Sequence, residues 1–180
     1  MLCNETRIFF VKILKKLNAN IEIKNLRKVS GELVGSINVK SSKLKPIIVS
    51  QNIGKLIDEL PILFMIAALT KGISKFKNIG DLKNKESNRL MESKKILIQA
   101  GIKCKITKDS MVIFGRNNIE SKNKSIVVKT KGDHRICMSA AIFSLVTGIK
   151  IEIKNFETVN TSFPDFIPLI KSLGGNIAIK

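Results

Sequence analysis

The sequence of 180 residues contains neither tryptophan nor tyrosine, and it has one histidine and three cysteines. All nine phenylalanines sit in apolar runs, so the aromatic platforms on which nucleic-acid bases stack are missing. One histidine without a cysteine pair disfavours a metal site. The three cysteines are odd in number and far apart in the sequence. They predict buried, reduced thiols in a cytosolic protein.

Long apolar runs are also missing. The longest run, residues 60–69, is too short to cross a bilayer. Charges interrupt the apolar stretch at the N-terminus, and no small-residue cleavage site follows it. The sequence therefore predicts a soluble, cytoplasmic protein with no membrane partner. Hydrophobic residues make up 44% of the chain and charged residues 26%, which is typical of a globular domain.

Acidic residues are scarce relative to basic ones, and the formal net charge is +18. A nucleic-acid partner is one interpretation of this excess. However, only five of the 32 basic residues are arginine, and the lysines are spread along the chain rather than clustered. We therefore favour solvated lysine-rich faces over a nucleic-acid surface, while some of the charge is available to attract anionic substrates.

Two patterns repeat along the chain. The end of an amphipathic helix, a small or polar break and a short alternating strand occur at 13–23, 96–106 and 169–179. An aspartate, an apolar helix, a glycine and an alternating strand occur twice, starting at Asp58 and Asp133. These patterns predict one lobe with three repeat units, at approximately 1–57, 58–132 and 133–180.

The predicted fold class is α/β, built from repeated units with buried helices enclosed by sheets. The helices at 60–69 and 136–146 are apolar nearly all round, so we expect them to be central. Most of the strands alternate apolar residues with Lys, Ser or Asn, which indicates one buried and one solvated face. We predict them near 31–39, 46–50, 73–79, 102–107, 111–115, 124–130, 149–155 and 176–180. The first unit opens within a helix at about Thr6 and lacks the block of aspartate, helix, glycine and strand. Either the first unit is short or the chain lacks its beginning.

Lys85, Glu86 and Arg89 are predicted at the start of a helix, with Glu86 and Arg89 on one face. Together with the helix N-terminus, the two cations suit a phosphate or carboxylate, and Glu86 suits proton transfer beside it. The ordinary alternative is a capping box, in which Asn84 or Ser87 caps the helix and Arg89 is solvated.

Asp133, His134 and Arg135 open the second buried helix, as Asp58 opens the first. An N-cap role accounts for both aspartates. It does not account for Arg135, because a cation in the first turn opposes the helix dipole. Arg135 therefore indicates a bound anion, and His134 is interpreted as an orienting group.

Four segments carry a resemblance to a known family. In order, they are "IDELPILFMIAAL", "KNKESNRL", "GDHRICMSAAIFSLV" and "NTSFPDFIPLIKSLGG". They resemble the C-terminal part of the 5-enolpyruvylshikimate-3-phosphate synthase (3-phosphoshikimate 1-carboxyvinyltransferase) family. The resemblance implies two lobes, each of three βαβαββ-type copies with helices inside and sheets outside. It also implies transfer of the enolpyruvyl group of phosphoenolpyruvate to the 5-hydroxyl of shikimate 3-phosphate, in aromatic amino-acid biosynthesis, without a metal or organic cofactor.

The resemblance also implies roles for individual residues. Asp58 matches the carboxylate that contacts the shikimate hydroxyls and accepts a proton. Lys85 matches a substrate-binding lysine, and Glu86 a group implicated in proton transfer to the enolpyruvyl methylene. Arg89 and Arg135 match arginines that grip phosphoenolpyruvate.

Asp81 aligns with a position that contacts shikimate 3-phosphate in some family members, and Asp133 and His134 are expected to support the helix entrance. Mild departures from the family pattern occur at Lys83, Asn88 and Thr161. The family's cleft lies between two lobes, and motifs of the other lobe are missing from this sequence. We therefore expect a fragment with half a site, inactive without a separate chain that carries the other lobe.

Two alternatives remain open at this point. One is a fragment of the related enzyme that transfers the enolpyruvyl group to UDP-N-acetylglucosamine, which has the same fold. The other is a basic, non-catalytic module that binds anions or nucleic acid; it requires lysines on one face and a steep salt dependence.

Overall fold

The computed structural model describes residues 2–119 and 125–178. The helices in this part of the chain are α1 (Glu5–Lys16), α2 (Leu60–Leu69), α3 (Arg89–Gln99), α4 (His134–Thr147) and α5 (Phe166–Ser172). The strands are β1 (Asn20–Val29), β2 (Glu32–Lys40), β3 (Ile48–Val49), β4 (Gly72–Phe76), β5 (Cys104–Ile106), β6 (Met111–Gly115), β7 (Ile126–Lys129) and β8 (Ile151–Lys154).

The strands form three small sheets. β1 and β2 pair antiparallel, β7 and β8 pair parallel, and a four-stranded sheet has the order β3-β4-β6-β5. β3 and β4 are parallel and α2 lies between them in the chain, just as α4 lies between the parallel β7 and β8. This confirms the predicted α/β class with repeated strand–helix–strand units. The unit boundaries drawn from the sequence stay a prediction.

The helices α2, α3 and α4 contact one another and form the centre of the protein. Seven of the ten residues of α2 are buried, because apolar side chains occupy nearly every position of the helix. The strands around them alternate: in β7, Ile126 and Val128 are buried, whereas Val127 and Lys129 are exposed. Helices therefore lie inside and sheets outside, as predicted. Within the described ranges, no helix combines the length and apolarity that a membrane span requires.

Most predicted strands are present, though often shorter. β1 is the largest miss, since the sequence pattern indicated only a short strand and the structure has ten residues. Its length comes from pairing with β2, which continues through a register shift between Lys24 and Arg27. Asn25 lies there with a φ of 54°, a conformation that asparagine tolerates better than most residues.

The strand predicted at 176–180 is wrong for residues 176–178, which have no partner strand among the described residues. Residues 179–180 lie outside the described residues, as does residue 124 at the start of the strand predicted at 124–130. A short alternating segment does not form a strand without a neighbour, because its backbone hydrogen bonds need a partner.

Gly115, the last residue of β6, brings the four-stranded sheet against the C-terminal end of α2. A Cβ atom at this position would lie 2.1 Å from the carbonyl oxygen of Ala67 and 2.2 Å from that of Thr70. The backbone N–H of Arg116 donates to the carbonyl of Ala68 at 3.0 Å. Only glycine permits this spacing between sheet and helix.

We expect the substitution Gly115→Ala to force α2 and β6 apart and to lower the free energy of unfolding by about 1–3 kcal/mol or more. The matched control is Gly54→Ala, because an added Cβ there meets nothing within 4 Å. Urea unfolding curves measure both changes. Equal stability of the two variants would contradict the close approach.

Candidate active site

The N-terminal ends of α2, α3 and α4 meet around the guanidinium of Arg89, which is 1% exposed. Its Nη1 lies 2.9 Å from Asp58 Oδ1, its Nη2 lies 2.5 Å from Glu86 Oε2, and its Nε lies 2.8 Å from Asp133 Oδ2. Three carboxylates from three chain segments therefore share one buried cation.

Asp133 is 0% exposed, and both of its carboxylate oxygens have partners. Oδ1 accepts the backbone N–H groups of Arg135 at 3.0 Å and Ile136 at 3.4 Å, which makes Asp133 the N-cap of α4. Oδ2 accepts hydrogen bonds from Arg89 and, at 3.0 Å, from the hydroxyl of Ser87. Asp133 thus joins the start of α4 to the start of α3.

The electrostatics of this pair follow from its geometry. Burial acts to raise the pKa of Asp133, but the hydrogen bond and charge of Arg89 and the hydrogen bond of Ser87 hold that pKa below its ordinary value. Burial likewise acts to lower the pKa of Arg89, while the hydrogen bond and charge of Asp133 raise it above its ordinary value. Both groups are therefore charged at neutral pH.

Arg135 is half-buried in the first turn of α4 and reaches back to the turn before α2. Its Nη1 donates to the backbone carbonyl of Asp58 at 2.9 Å and lies 3.5 Å from Glu59 Oε1. Its Nη2 lies 3.5 Å from Asp58 Oδ2. Asp58 therefore bridges the two arginines.

These residues form what we call the arginine–carboxylate cluster, which consists of Arg89, Arg135, Asp58, Glu59, Glu86 and Asp133. The structure places together five of the residues that the sequence indicated as a site or its support: Asp58, Glu86, Arg89, Arg135 and Asp133. It also brings in Glu59, which the sequence reasoning missed, and next to the cluster Ser87, which that reasoning considered only as a helix cap. Glu59 adjoins Asp58, and Ser87 lies within the "KES" segment. The signal that could have found them was therefore their position next to predicted site residues in the sequence.

The expectation that Asp58 caps α2 is wrong. The N-cap position of α2 is Glu59, which makes no side-chain cap hydrogen bond, and Asp58 lies in the turn before it. Asp58 and Asp133 therefore occupy different places at their helices. The reason is that the side chain of Asp58 pairs with Arg89 and Arg135 instead of the helix N–H groups.

The start of α3 also differs from expectation. The helix begins at Arg89, and Asn88 caps it by accepting the N–H of Met91 at 3.1 Å. Lys85 and Glu86 precede the helix, and neither Asn84 nor Ser87 caps it. Asn88 takes this role because it lies directly before the first helical residue. From there its side-chain oxygen reaches the N–H of Met91, one of the first-turn N–H groups that have no partner within a helix.

Three other predicted residues lie at the edge of this region. Lys85 and Asp81 are exposed, and neither belongs to the ion pairs of the cluster. His134 is half-buried at the first position of α4. Within residues 2–119 and 125–178, no three His, Cys, Asp or Glu side chains are grouped so as to hold a metal ion.

Comparison with known structures identifies the class of fold. The structure superimposes on the enolpyruvyl transferase NikO from Streptomyces tendae with a TM-score of 0.64 at 14% identity, over 94% of this chain and 35% of that one, which indicates a shared fold alone. It superimposes on the EPSP synthase of Acinetobacter baumannii with a TM-score of 0.90 at 33% identity, covering all of this chain and 42% of that one. The fold is that of the enolpyruvyl transferases.

Sequence comparison gives the family. The sequence-family model of EPSP synthase (3-phosphoshikimate 1-carboxyvinyltransferase) matches residues 1–170. Enzymes named 3-phosphoshikimate 1-carboxyvinyltransferase from Ruthia magnifica subsp. Calyptogena magnifica and Campylobacter jejuni subsp. doylei are 39% and 40% identical, over 97% and 98% of this chain. The chain belongs to the EPSP synthase family. It spans about 40% of the length of these relatives.

We expect Asp133→Asn to lower the free energy of unfolding at pH 7 by about 3–5 kcal/mol, because it removes one partner of a buried ion pair. Asparagine also caps helices well, so the variant removes the charge and keeps a cap. Folding lowers the pKa of Asp133, so its contribution is present above its ordinary pKa of about 4 and is lost as pH falls through the lower pKa of the folded state.

The measurement is urea unfolding between pH 7 and pH 2. The wild type should lose more stability over this range than Asp133→Asn. The control is Asp165→Asn, because Asp165 occupies the N-cap position of α5 without a side-chain cap hydrogen bond. Parallel pH dependences of the wild type and Asp133→Asn would contradict the buried pair.

Proposed function

We propose that this chain supplies half of the active site of a 3-phosphoshikimate 1-carboxyvinyltransferase. That enzyme transfers the enolpyruvyl group of phosphoenolpyruvate to the 5-hydroxyl of shikimate 3-phosphate and releases phosphate. The observation that carries the proposal is the arginine–carboxylate cluster, which gathers two arginines and the acidic groups at three helix entrances of a chain in this family.

The exposure of the carboxylates supports a division of roles. Asp133 is buried and fixes Arg89, whereas the side chains of Asp58 and Glu86 are 45% and 50% exposed and cover it from the solvent side. The reaction needs one proton placed on the methylene carbon and one removed from the hydroxyl. Asp58 is proposed as the group that accepts the hydroxyl proton, and Glu86 as the group that serves the methylene carbon.

Arg89 and Arg135 are proposed to bind phosphoenolpyruvate once the half-exposed carboxylates have turned towards the substrates. A guanidinium has five N–H donors. The Nε, Nη1 and Nη2 atoms of Arg89 each donate one hydrogen bond to a carboxylate. The second N–H groups of Nη1 and Nη2 therefore remain for a bound anion. Lys85 and Asp81 are exposed on the segment before α3, and substrate contacts are proposed for both. Asp133 and His134 support the entrance of α4.

The charge of the cluster supports the proposal of a second half. Two guanidiniums face four carboxylates, so the cluster carries more negative than positive charge. Both substrates are phosphate anions, and a like charge at close range opposes their binding. Further cations must therefore come from outside this cluster, and we propose a separate chain with the other lobe as their source.

The matches to 3-phosphoshikimate 1-carboxyvinyltransferases do not favour a fragment of the UDP-N-acetylglucosamine enzyme. A non-catalytic basic module is also not favoured, since both central arginines pair with carboxylates. The cytoplasmic location and the lack of a nucleic-acid partner stay predictions.

We expect residues 1–180 alone to release no phosphate from phosphoenolpyruvate and shikimate 3-phosphate. Phosphate release should appear after addition of the part of the Campylobacter jejuni subsp. doylei relative that lies outside the match. In this mixture, Glu86→Gln should lower the turnover rate by roughly 10²- to 10⁴-fold, the usual effect of losing a general acid or base. Turnover is measured as phosphate released per minute.

The control is Glu22→Gln, an exposed residue of β1 that pairs with Lys24 and lies outside the cluster. It should retain the rate of the unmodified mixture. Full activity of residues 1–180 without the second polypeptide would refute the half-site, and an equal rate for Glu86→Gln and the wild type would refute the role of Glu86.

A further inference from the structure

The turn that leads into α4 has an unfavourable backbone conformation. Lys131 and Gly132 have φ angles of 55° and 79°, and the N–H of Asp133 donates to the carbonyl of Thr130 at 3.1 Å. Positive φ at both central positions is typical of a type I′ turn, which favours glycine, asparagine or aspartate. Within the described ranges, seven residues other than glycine have a positive φ, and apart from Lys131 they are five asparagines and one serine. A residue in such a conformation persists only where its surroundings hold it.

The contact that holds Lys131 comes from α3. Its Nζ lies 3.5 Å from Oε1 of Glu92, whose side chain is only 5% exposed. The Nζ of Lys95 donates to the same oxygen at 2.9 Å, but Lys95 lies on α3 itself, three residues after Glu92. A buried carboxylate that loses its partner is costly, so Glu92 requires these cations. Of the two lysines, Lys131 is the one that connects α3 to another segment.

This ion pair and the buried pair of the arginine–carboxylate cluster join the same two segments with opposite polarity. Arg89 and Glu92 are three residues apart on α3, so they lie on one face of the helix. Arg89 pairs with Asp133, and two residues before Asp133 the turn presents Lys131 to Glu92. Each segment therefore presents one cation and one anion to the other. A displacement that moves Asp133 towards Glu92 brings like charges together, so the two pairs favour one placement of the turn.

Two hydroxyl groups hold the other side of the same turn. Thr130 is buried, and its Oγ1 donates to the backbone carbonyl of Lys154 on β8 at 2.9 Å. The Oγ1 of Thr158 donates to the carbonyl of Gly132 at 2.7 Å. These contacts fix the turn against the segment that follows α4, and the lysine–glutamate pair fixes it against α3. Loss of that pair should therefore release the turn on the α3 side and leave the rest of the fold in place.

We propose that Glu92 is a positioning residue of the candidate active site. Through Lys131 it holds the turn in the place where Asp133 caps α4 and meets Arg89. This role deepens the proposed function and depends on it for its effect on turnover, since Arg89 is proposed there to bind phosphoenolpyruvate. The ordinary alternative is that Glu92 only stabilises the first turn of α3 through the helix dipole and Lys95. That alternative explains neither the burial of Glu92 nor the conformation of Lys131.

The test follows one proton of Arg89 in the chain alone and without substrates, so its outcome does not depend on turnover. The Nε–H of Arg89 is buried and donates to Asp133, so its exchange with solvent reports how often the turn moves away from α3. NMR measures this exchange, and the backbone amides of β6 in the same spectra report opening of the whole fold. The variants are Glu92→Gln and Lys131→Gln, and the matched control is Lys95→Gln.

Relative to the amides of β6, we expect the Nε–H of Arg89 to exchange roughly tenfold faster in Glu92→Gln and in Lys131→Gln, because the strained turn loses the contact that holds it. Lys95→Gln should match the wild type, although Lys95 is the closer cation, because it does not reach the turn. Wild-type exchange in Lys131→Gln, or faster exchange in Lys95→Gln, would overturn the proposal.

A second background separates strain from charge. Asparagine tolerates a positive φ, so the turn in Lys131→Asn does not need Glu92. Glu92→Gln should therefore leave the exchange of the Arg89 Nε–H unchanged in the Lys131→Asn background. The same acceleration by Glu92→Gln in this background as in the wild type would show that Glu92 does not act through Lys131, and would contradict the proposal.

The consequence for catalysis is measured in the two-polypeptide mixture used to test the proposed function. Glu92→Gln should raise the KM for phosphoenolpyruvate by a larger factor than it lowers kcat, because a displaced Asp133 leaves Arg89 less well placed for the anion. An unchanged KM in a mixture that turns over would overturn the positioning role. A wild-type mixture without turnover would count against the proposed function alone, since the exchange measurements do not depend on it.

Discussion

The buried guanidinium of Arg89 holds the entrances of α2, α3 and α4 together through its ion pairs. It is the first residue of α3, and it contacts Asp58 before α2 and Asp133 at the start of α4. A buried ion pair adds little net stability over an apolar replacement, but it is costly to break. The arrangement therefore links the entrances of α2, α3 and α4 to one another through a single side chain.

The charge of this cluster is opposite in sign to the net charge of the whole protein. The protein as a whole is strongly basic, yet the region around Arg89 and Arg135 has more carboxylates than guanidiniums. Net charge acts over distances comparable to the screening length, about 8 Å at physiological salt. The lysine-rich surface therefore sets the field far from the cluster, whereas the carboxylates and guanidiniums of the cluster set the field close to it.

Much of the fold could be predicted because its signals are local. The apolar run of α2 fixes its bounds at Leu60–Leu69, and the short apolar run of β6 that ends at a glycine fixes Met111–Gly115, since these signals act within a few residues. The long pairing of β1 with β2 could not be predicted in this way, because its length depends on a partner strand and on the irregularity at Asn25.

The candidate site was predictable in part for the same reason. The acidic and cationic residues at the helix entrances could be named from their positions. Their partners could not, since Arg89 pairs with residues 31 and 44 positions away, Asp58 and Asp133. The choice of Asn88 over Ser87 as the cap of α3 also depended on tertiary contacts, because the hydroxyl of Ser87 is engaged by Asp133.

Asp133 has one further consequence, because a single carboxylate serves both the backbone of α4 and the side chain of Arg89. Fraying of the first turn of α4 would release both at once. The rotamer of Arg89 is thus set during folding, which already restricts a side chain whose freedom is worth up to about 2 kcal/mol in conformational entropy. Under the proposed function, an anion bound at Arg89 would therefore meet a side chain that the start of α4 has already ordered.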